Sequence, residues 1–252
     1  GRRYHGNAHE HYESITSKQE ALIAALLIEY KDGTEEFIPT DSTWECSKSN
    51  ILYSHVYNGE TVDFTVNTDE KFPVKELNDI STDILVPQEG EEVREMARIS
   101  VSQVIKTPKG ELVLDFGQNL TGYVEWNVPA EKGKEFRLYH AEVLDRFGNF
   151  YLDNMRSAKV EIKVVSDGNE RTYKPHFTYQ GFRYVKLEGF EGEINPDDFT
   201  AVVVFSNMKR TGYFACGHDL LQQLYENIVW GRRGNFLDIP TDCNQRDERF
   251  GW

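Results

Sequence analysis

Residues 21–28 form an unbroken apolar run. Its periodicity fits a buried strand or a short helix equally well. The run leads into Asp32-Gly33, however, and Glu36-Phe37-Ile38 follows, so the turn chemistry favours a hairpin. Residues 51–57 meet a second turn-like pair, Asn58-Gly59, after which Val62, Phe64 and Val66 alternate with Asp63 and Thr65. That alternation predicts part of an antiparallel sandwich. Between Asp69 and Glu95 the apolar density falls, and Pro73, Pro87, Gly90 and a cluster of Glu give a linker composition, so a domain boundary is expected there. Strand signals then return at 99–104, 112–116, 122–128, 135–140, 159–165, 182–187 and 200–205. Short strands at such intervals predict a second sandwich or jelly roll. Between them, Pro108-Lys109-Gly110, residues 145–149 and Asp167-Gly168-Asn169 supply residues that tolerate φ > 0 or cap a turn, which favours antiparallel connections. After Cys216 the period changes. Leu220, Leu221, Leu224, Ile228 and Val229 recur at helical spacing, with Asp219 placed to complement the helix dipole. The helix is expected to stop near Gly231 or Gly234, and Pro240 pushes Ile239 toward extended geometry, so a loop follows.

Length, composition and charge narrow the classes. At 252 residues the chain has room for two domains, or two and part of a third. Aromatics make up 13%, enough for packed cores, and no stretch approaches the roughly 20 apolar residues that cross a bilayer, so no membrane partner is expected. With 28 Lys and Arg against 42 acidic residues the net charge is -14, which repels polyanions and argues against nucleic acid. Cys46, Cys216 and Cys243 are too scattered for a disulfide framework and read as thiols. His5, His9 and His11 cluster, but Glu13 stands where a zincin helix needs its second His, so no metal is expected, and no cofactor is implied. Asn119-Leu120-Thr121 is a formal glycosylation sequon that reads as a turn. The chain opens on Gly1-Arg2-Arg3 without an initiator Met, as an excised segment would; its compartment is not legible.

The chemistry concentrates in residues 238–252. Four carboxylates and two guanidinium groups lie between Asp238 and Arg249, beside Cys243, Phe250 and Trp252. A solvated loop seldom carries such apolar bulk. Carboxylates crowded beside Arg246 and an aromatic wall can hold one acid at a raised pKa, as glycoside hydrolysis requires. One acid protonates the leaving oxygen, a second carboxylate activates water or attacks, and a Trp offers an apolar face to a sugar ring. On chemistry alone Asp242, Asp247 and Glu248 are equivalent candidates.

The run Asp242-Cys243-Asn244-Gln245-Arg246-Asp247-Glu248-Arg249-Phe250-Gly251-Trp252, preceded by Arg233-Gly234-Asn235-Phe236, resembles the signature at the entrance to the catalytic domain of glycoside hydrolase family 78, the bacterial α-L-rhamnosidases. Phe116-Gly117-Gln118-Asn119, Ala141-Glu142-Val143-Leu144-Asp145, residues 154–159 and residues 177–184 are similar to landmarks of that family's β domains. Tyr57-Asn58-Gly59-Glu60-Thr61 is similar to a motif of its N-terminal domain. The resemblance implies a mainly β chain: two antiparallel β-sandwich or jelly-roll domains followed by the first helix of an (α/α)6 barrel. Residues 1–85 would be the C-terminal part of an N-terminal β-sandwich domain, 95–206 a jelly-roll-like rhamnosidase domain, and 207–252 the truncated start of the catalytic domain. It further implies hydrolysis of terminal α-L-rhamnose from a glycoside or polysaccharide with inversion. Glu248 would be the general acid, Asp242 and Arg246 would bind rhamnose hydroxyls, and Trp252 would contact the sugar. The general base would lie outside this chain, so the fragment alone is expected to be inactive. Asn244 departs from the family, which has Pro there, and is expected to loosen the turn. A homo-oligomer is compatible with the chain.

Other roles stay open for the β domains: a non-catalytic carbohydrate-binding module, or a scaffold bracing the barrel. Phe177, Tyr179, Phe182 and Tyr184 fit a sandwich core better than a sugar platform. Glu142, Asp145, Asp153 and Arg156 read as a solvated loop, with contact to the catalytic domain or substrate as the alternative.

Overall fold

The computed structural model describes residues 21–77, 81, 83 and 85–246. Of the expected functional residues, Glu248 and Trp252 lie outside these, as do Asp247, Phe250, His5, His9 and His11. The chain divides into two compact units, Gly1–Lys48 with Asn67–Val86, and Ser49–Val66 with Pro87–Trp252.

In the first unit, β1 (Ala25–Glu29) and β2 (Glu35–Pro39) form the expected antiparallel hairpin, with Leu27 opposite Phe37. Its turn works through the residues that announced it: Gly33 sits at φ +86° and Asp32 Oδ1 accepts from the Thr34 amide at 3.0 Å. Leu26, Leu27 and Phe37 are nonetheless exposed, so the apolar run is not a buried strand. A second pair joins β3 (Glu45–Ser47) to a strand at Lys71–Pro73.

The second unit begins with β4 (Ile51–His55) and β5 (Gly59–Asp63); in chain order the Lys71–Pro73 strand is then β6. After β7 (Val93–Ser100) and β8 (Gln103–Lys106) come the long β9 (Leu112–Val128), β10 (Glu135–Ala141), β11 (Glu161–Val165), β12 (Arg171–Tyr173), β13 (Gln180–Glu188) and β14 (Phe199–Ser206). Helix α1 (Asp219–Gly234) and the minimal strands β15 (Phe236–Leu237) and β16 (Ile239–Pro240) follow. The fold is mainly β, built on one curled sheet in the order β4-β5-β11-β10-β13-β9-β14-β7, with β8 and β12 also paired to β9.

Two departures from periodicity have local causes. Residues 112–116 and 122–128, expected as separate strands, are one strand because the segment between them keeps pairing with β13, Leu120 opposite Phe182 and Gly122 opposite Gln180. Residues 99–104, expected as one strand, break between β7 and β8, where the Ser102 amide turns to the Asp115 carbonyl at 2.8 Å.

The β4–β5 hairpin lies within residues 1–85, yet it clusters with the second unit. β5 pairs with β11 in parallel, and a Cβ at Gly59 would stand 1.8 Å from the Glu161 carbonyl oxygen, so only glycine fits. The next residue, Glu60, is 1% exposed. Its carboxyl group accepts from the Tyr173 hydroxyl at 2.6 Å, the His176 amide at 3.1 Å and the Phe177 amide at 3.2 Å. A buried carboxylate needs that many donors. The donors fasten β5 to β12 and the segment after it.

Trp126 on β9 centres the main core, stacked on Phe199 at 6.2 Å and meeting Phe136, Phe190 and Tyr173. Successive strand residues point to opposite faces, and both Leu114 and Val113 are fully buried, each in a different cluster. The sheet is therefore covered on both sides at β9. Of the aromatic run, Phe182 joins the main core and Tyr184 packs on the second cluster, whereas Phe177 is exposed, so the four do not form one platform.

Candidate functional site

The site is built where β9 meets α1 and the loop after it. Phe116-Gly117-Gln118-Asn119 lies in mid-β9. Gly117 sits at φ +74° and donates its amide to Asp115 Oδ1 at 2.7 Å. That carboxylate is itself paired with both Arg183 Nε and an Arg183 terminal nitrogen, at 2.7 and 2.8 Å. Burial pushes the Asp115 carboxyl up, but Arg183 and the Gly117 amide outweigh it, and its pKa ends below the usual carboxylate value. This bidentate pair fixes the strand just before Gln118 and Asn119.

Helix α1 starts at Asp219 and ends at Gly234, as its spacing and glycines predict, with Arg232 and Arg233 in the last turn where cations complement the dipole. Its last turn packs on the β domain: Trp230 lies against the main core, and the Arg233 guanidinium sits 5.4 Å from the Phe205 ring centre. The end of the helix is then fastened to β9. The Thr121 hydroxyl, 1% exposed, donates to the Gly234 carbonyl at 3.0 Å and accepts from Asn244 Nδ2 at 2.6 Å. Asn244 fits only because two glycines leave room: a Cβ at Gly181 would lie 2.6 Å from its side chain, and one at Gly234 2.9 Å from its amide nitrogen. Asn244 therefore does not loosen the turn; its buried side chain holds it to the sheet. Asn235 closes the same loop, donating Nδ2 to the Gly231 carbonyl at 2.8 Å and accepting from the Thr241 amide at 2.9 Å.

These contacts shape a cleft of about 390 Å³, lined by Gln118 and Asn119 of β9, Glu142 after β10, Asn227 and Trp230 of α1, and Asp242 with its neighbours to Gln245. A second cleft of about 450 Å³ shares Gln118, Asn119, Glu142 and Asn227 and adds Arg183 and Gln223. Amides, carboxylates and one indole are the donor and acceptor set that neutral polyhydroxyl ligands use. Asp242 is half exposed, and its Oδ2 lies 3.8 Å from Arg246. Glu142 is held by Asn119 Nδ2 at 2.9 Å. Burial raises its carboxyl pKa, opposed by the Asn119 hydrogen bond and the positive charge of Arg246.

Of the residues expected from sequence, the structure places Asp242 in the wall of this cleft, with Arg246 3.8 Å from its Oδ2, and does not describe Glu248 and Trp252. Glu142, read from sequence as part of a solvated loop with contact to the catalytic domain or substrate as the alternative, lines the cleft, as does Asn119, read only as a turn and part of a family-like run. Their segments stand out as family-like runs, but nothing in a linear pattern indicates that they meet residues 242–246.

Family models match the chain in three consecutive stretches: an α-L-rhamnosidase N-terminal domain over residues 2–97, a bacterial α-L-rhamnosidase concanavalin-like domain over 105–205, and a bacterial α-L-rhamnosidase six-hairpin glycosidase domain over 209–252. An α-L-rhamnosidase of Streptomyces avermitilis is 37% identical in a 244-residue alignment that covers 92% of this chain and 24% of that protein. The crystal structure of native α-L-rhamnosidase from Aspergillus terreus superposes with a TM-score of 0.83 at 37% identity, over 91% of this chain and 28% of that one. The Streptomyces avermitilis α-L-rhamnosidase complexed with L-rhamnose gives 0.82 at 35%, over 91% and 23%. The chain thus spans about a quarter of the length of the curated relatives it matches. With its three stretches matching that family's domains in order, and its fold superposing on solved members, the chain belongs to the α-L-rhamnosidase family.

Proposed function

We propose that the protein carrying this chain hydrolyses terminal non-reducing α-L-rhamnose from rhamnose-containing glycosides or polysaccharides, with inversion and with Glu248 as general acid. The observation that supports this most is the cleft itself: Asp242, Asn244 and Gln245 of the signature loop share it with the amides and the carboxylate of the β domain. Asp242 accepts hydrogen bonds from rhamnose hydroxyls, Arg246 donates them, and Trp252 gives the ring an apolar face. Glu248 protonates the glycosidic oxygen as the bond to the anomeric carbon breaks, while a second carboxylate, supplied from beyond this chain, takes a proton from the water attacking the opposite face. A helix and one loop cannot exclude water from that reaction, so the 252-residue chain alone does not turn over.

The test is hydrolysis of p-nitrophenyl α-L-rhamnoside by the full-length enzyme. Glu248→Gln keeps the shape but has no proton to give, and kcat is expected to fall by about 10²- to 10⁴-fold. An unimpaired variant places the acid elsewhere, and turnover by the isolated chain refutes its inactivity.

A further inference from the structure

The two clefts share Gln118, Asn119, Glu142 and Asn227, so they are two compartments of one groove between mid-β9 and α1. The first compartment, of about 390 Å³, reaches Asp242 and its loop; the second, of about 450 Å³, reaches Arg183 and Gln223. Each has room for a ring of its own, since small-molecule sites begin at about 300 Å³. On α1, Gln223 and Asn227 stand four residues apart and share a face, tied by donation from Gln223 Nε2 to Asn227 Oδ1 at 2.9 Å. On β9, Gln118 Nε2 donates to the Asn119 carbonyl at 2.7 Å, and Asn119 Nδ2 donates to Glu142 at 2.9 Å. These bonds orient the four amides and leave half of each unused: Gln118 Oε1, Asn119 Oδ1, Gln223 Oε1 and Asn227 Nδ2 have no partner among the described residues. Acceptors and a donor fixed on two facing walls are what the hydroxyls of a sugar ring need. Arg183 gives Nε and one terminal nitrogen to Asp115, and the two charges balance. Glu142 is then the one formal charge left on the walls of the second compartment, which disfavours an anionic ring such as a uronate.

Resting on the rhamnosidase function proposed above, we propose that the second compartment is a subsite for the leaving group: it takes the uncharged sugar to which a terminal rhamnose is joined, while the rhamnose lies beside Asp242 in the first. Gln118 on β9 and Gln223 on α1 hold that second ring from opposite walls through its hydroxyls. The β domain then reads what the rhamnose is attached to instead of only bracing α1.

The experiment compares kcat/KM of the full-length enzyme on the rhamnosyl-glucoses rutinose and neohesperidose with kcat/KM on p-nitrophenyl α-L-rhamnoside, whose leaving group has no hydroxyls for the amides to hold. Gln223 lines the second compartment and not the first, and alanine there keeps the helix. Gln223→Ala is expected to lower kcat/KM on the better disaccharide by about fivefold more than on the nitrophenyl substrate, the worth of one neutral hydrogen bond. The loss falls mainly on KM. Gln223→Trp, which fills the second compartment, is expected to widen that difference to more than about tenfold. Should one of these variants not fold, the other carries the test. An equal fall on both kinds of substrate, or none on either, overturns the subsite. A wild type that cleaves the nitrophenyl rhamnoside but neither disaccharide overturns it too and leaves the rhamnosidase function standing, whereas a wild type that cleaves none of the three removes both.

Discussion

Gly122 is one of two positions in the sheet, with Gly59, at which a Cβ would stand 1.8 Å from a backbone oxygen. It lies in β9 opposite Val203 of β14 and Gln180 of β13, so backbone closes on it from both sides. A Cβ there would stand 1.8 Å from the Val202 carbonyl oxygen, 2.9 Å from its carbon and 3.2 Å from Val203 Cα, whereas real Cβ atoms essentially never come within 3.0 Å of such atoms. No side chain can swing aside, so Gly122→Ala must part β9 from β14 by more than 1 Å, enough to stretch a ladder hydrogen bond past its range of roughly 2.7–3.2 Å. Forced overpacking costs about 1–3 kcal/mol, and each buried backbone group left unpaired costs about 1–3 kcal/mol more. We expect a loss of about 3–5 kcal/mol against a total stability of about 5–15 kcal/mol. For a unit of this size that lowers Tm by roughly 6–20 °C. Thermal unfolding followed by circular dichroism measures it, with Gly212→Ala as the control, since a Cβ at Gly212 meets nothing within 4 Å. A Gly122→Ala chain whose Tm stays within about 2 °C of wild type, less than 1 kcal/mol at this size, would refute the reasoning.

Asp115→Asn should cost about 1–3 kcal/mol, less than a fully buried pair because Arg183 is partly exposed. Because the folded-state pKa of Asp115 is lowered, its stabilisation is complete above the unfolded value of about 3.9 and is lost as pH falls through the folded value. The denaturant midpoint of the variant should therefore fall less steeply on acidification than that of wild type, and parallel acid limbs would contradict this. On α1, Leu224 and Ile228 are 53% and 59% exposed, so changing both to Ser should leave the isolated chain's unfolding within about 0.5 kcal/mol per site while reducing its self-association and hydrophobic-dye binding. Unchanged dye binding would mean that this face is not what the dye reads.

Where a residue's role is local, the chain announced it. Asp32-Gly33 and Pro108-Lys109-Gly110 make the turns their chemistry dictates, with Gly110 at φ +83°, and α1 ends at Gly234, one of the two glycines at which its sequence was expected to stop. Where pairing decides, periodicity was blind. β12 is three residues long, too short for an alternation signal, and exists only because β9 extends to Val128. β9 itself looks like two strands, since the polar Gly117-Gln118-Asn119 interrupts the apolar pattern exactly where the strand reaches the cleft and exchanges core contacts for site ones. The candidate site followed the same division. Asp242, with Arg246 beside it, stands in a dense motif within one loop, whereas Glu142 and Asn119 reach the Asp242 cleft from two other segments. Asn244 shows the converse error: judged by the residue it replaces it weakens a turn, and judged by what it touches it fastens one.

The chain crosses between the two units at Lys48–Ser49, Val66–Asn67 and Val86–Pro87, because the β4–β5 hairpin sits in the middle of the first unit's sequence and in the sheet of the second. The two units are therefore not separable as modules by one cut. A gene truncated or recombined after the N-terminal stretch would carry the sheet away without its parallel edge, baring Ile162 and Val164 of β11 and leaving the Tyr173 hydroxyl and the His176 and Phe177 amides without Glu60. Shuffling of these domains among proteins is constrained to move both at once, so this hairpin acts as a hereditary link as well as a structural one.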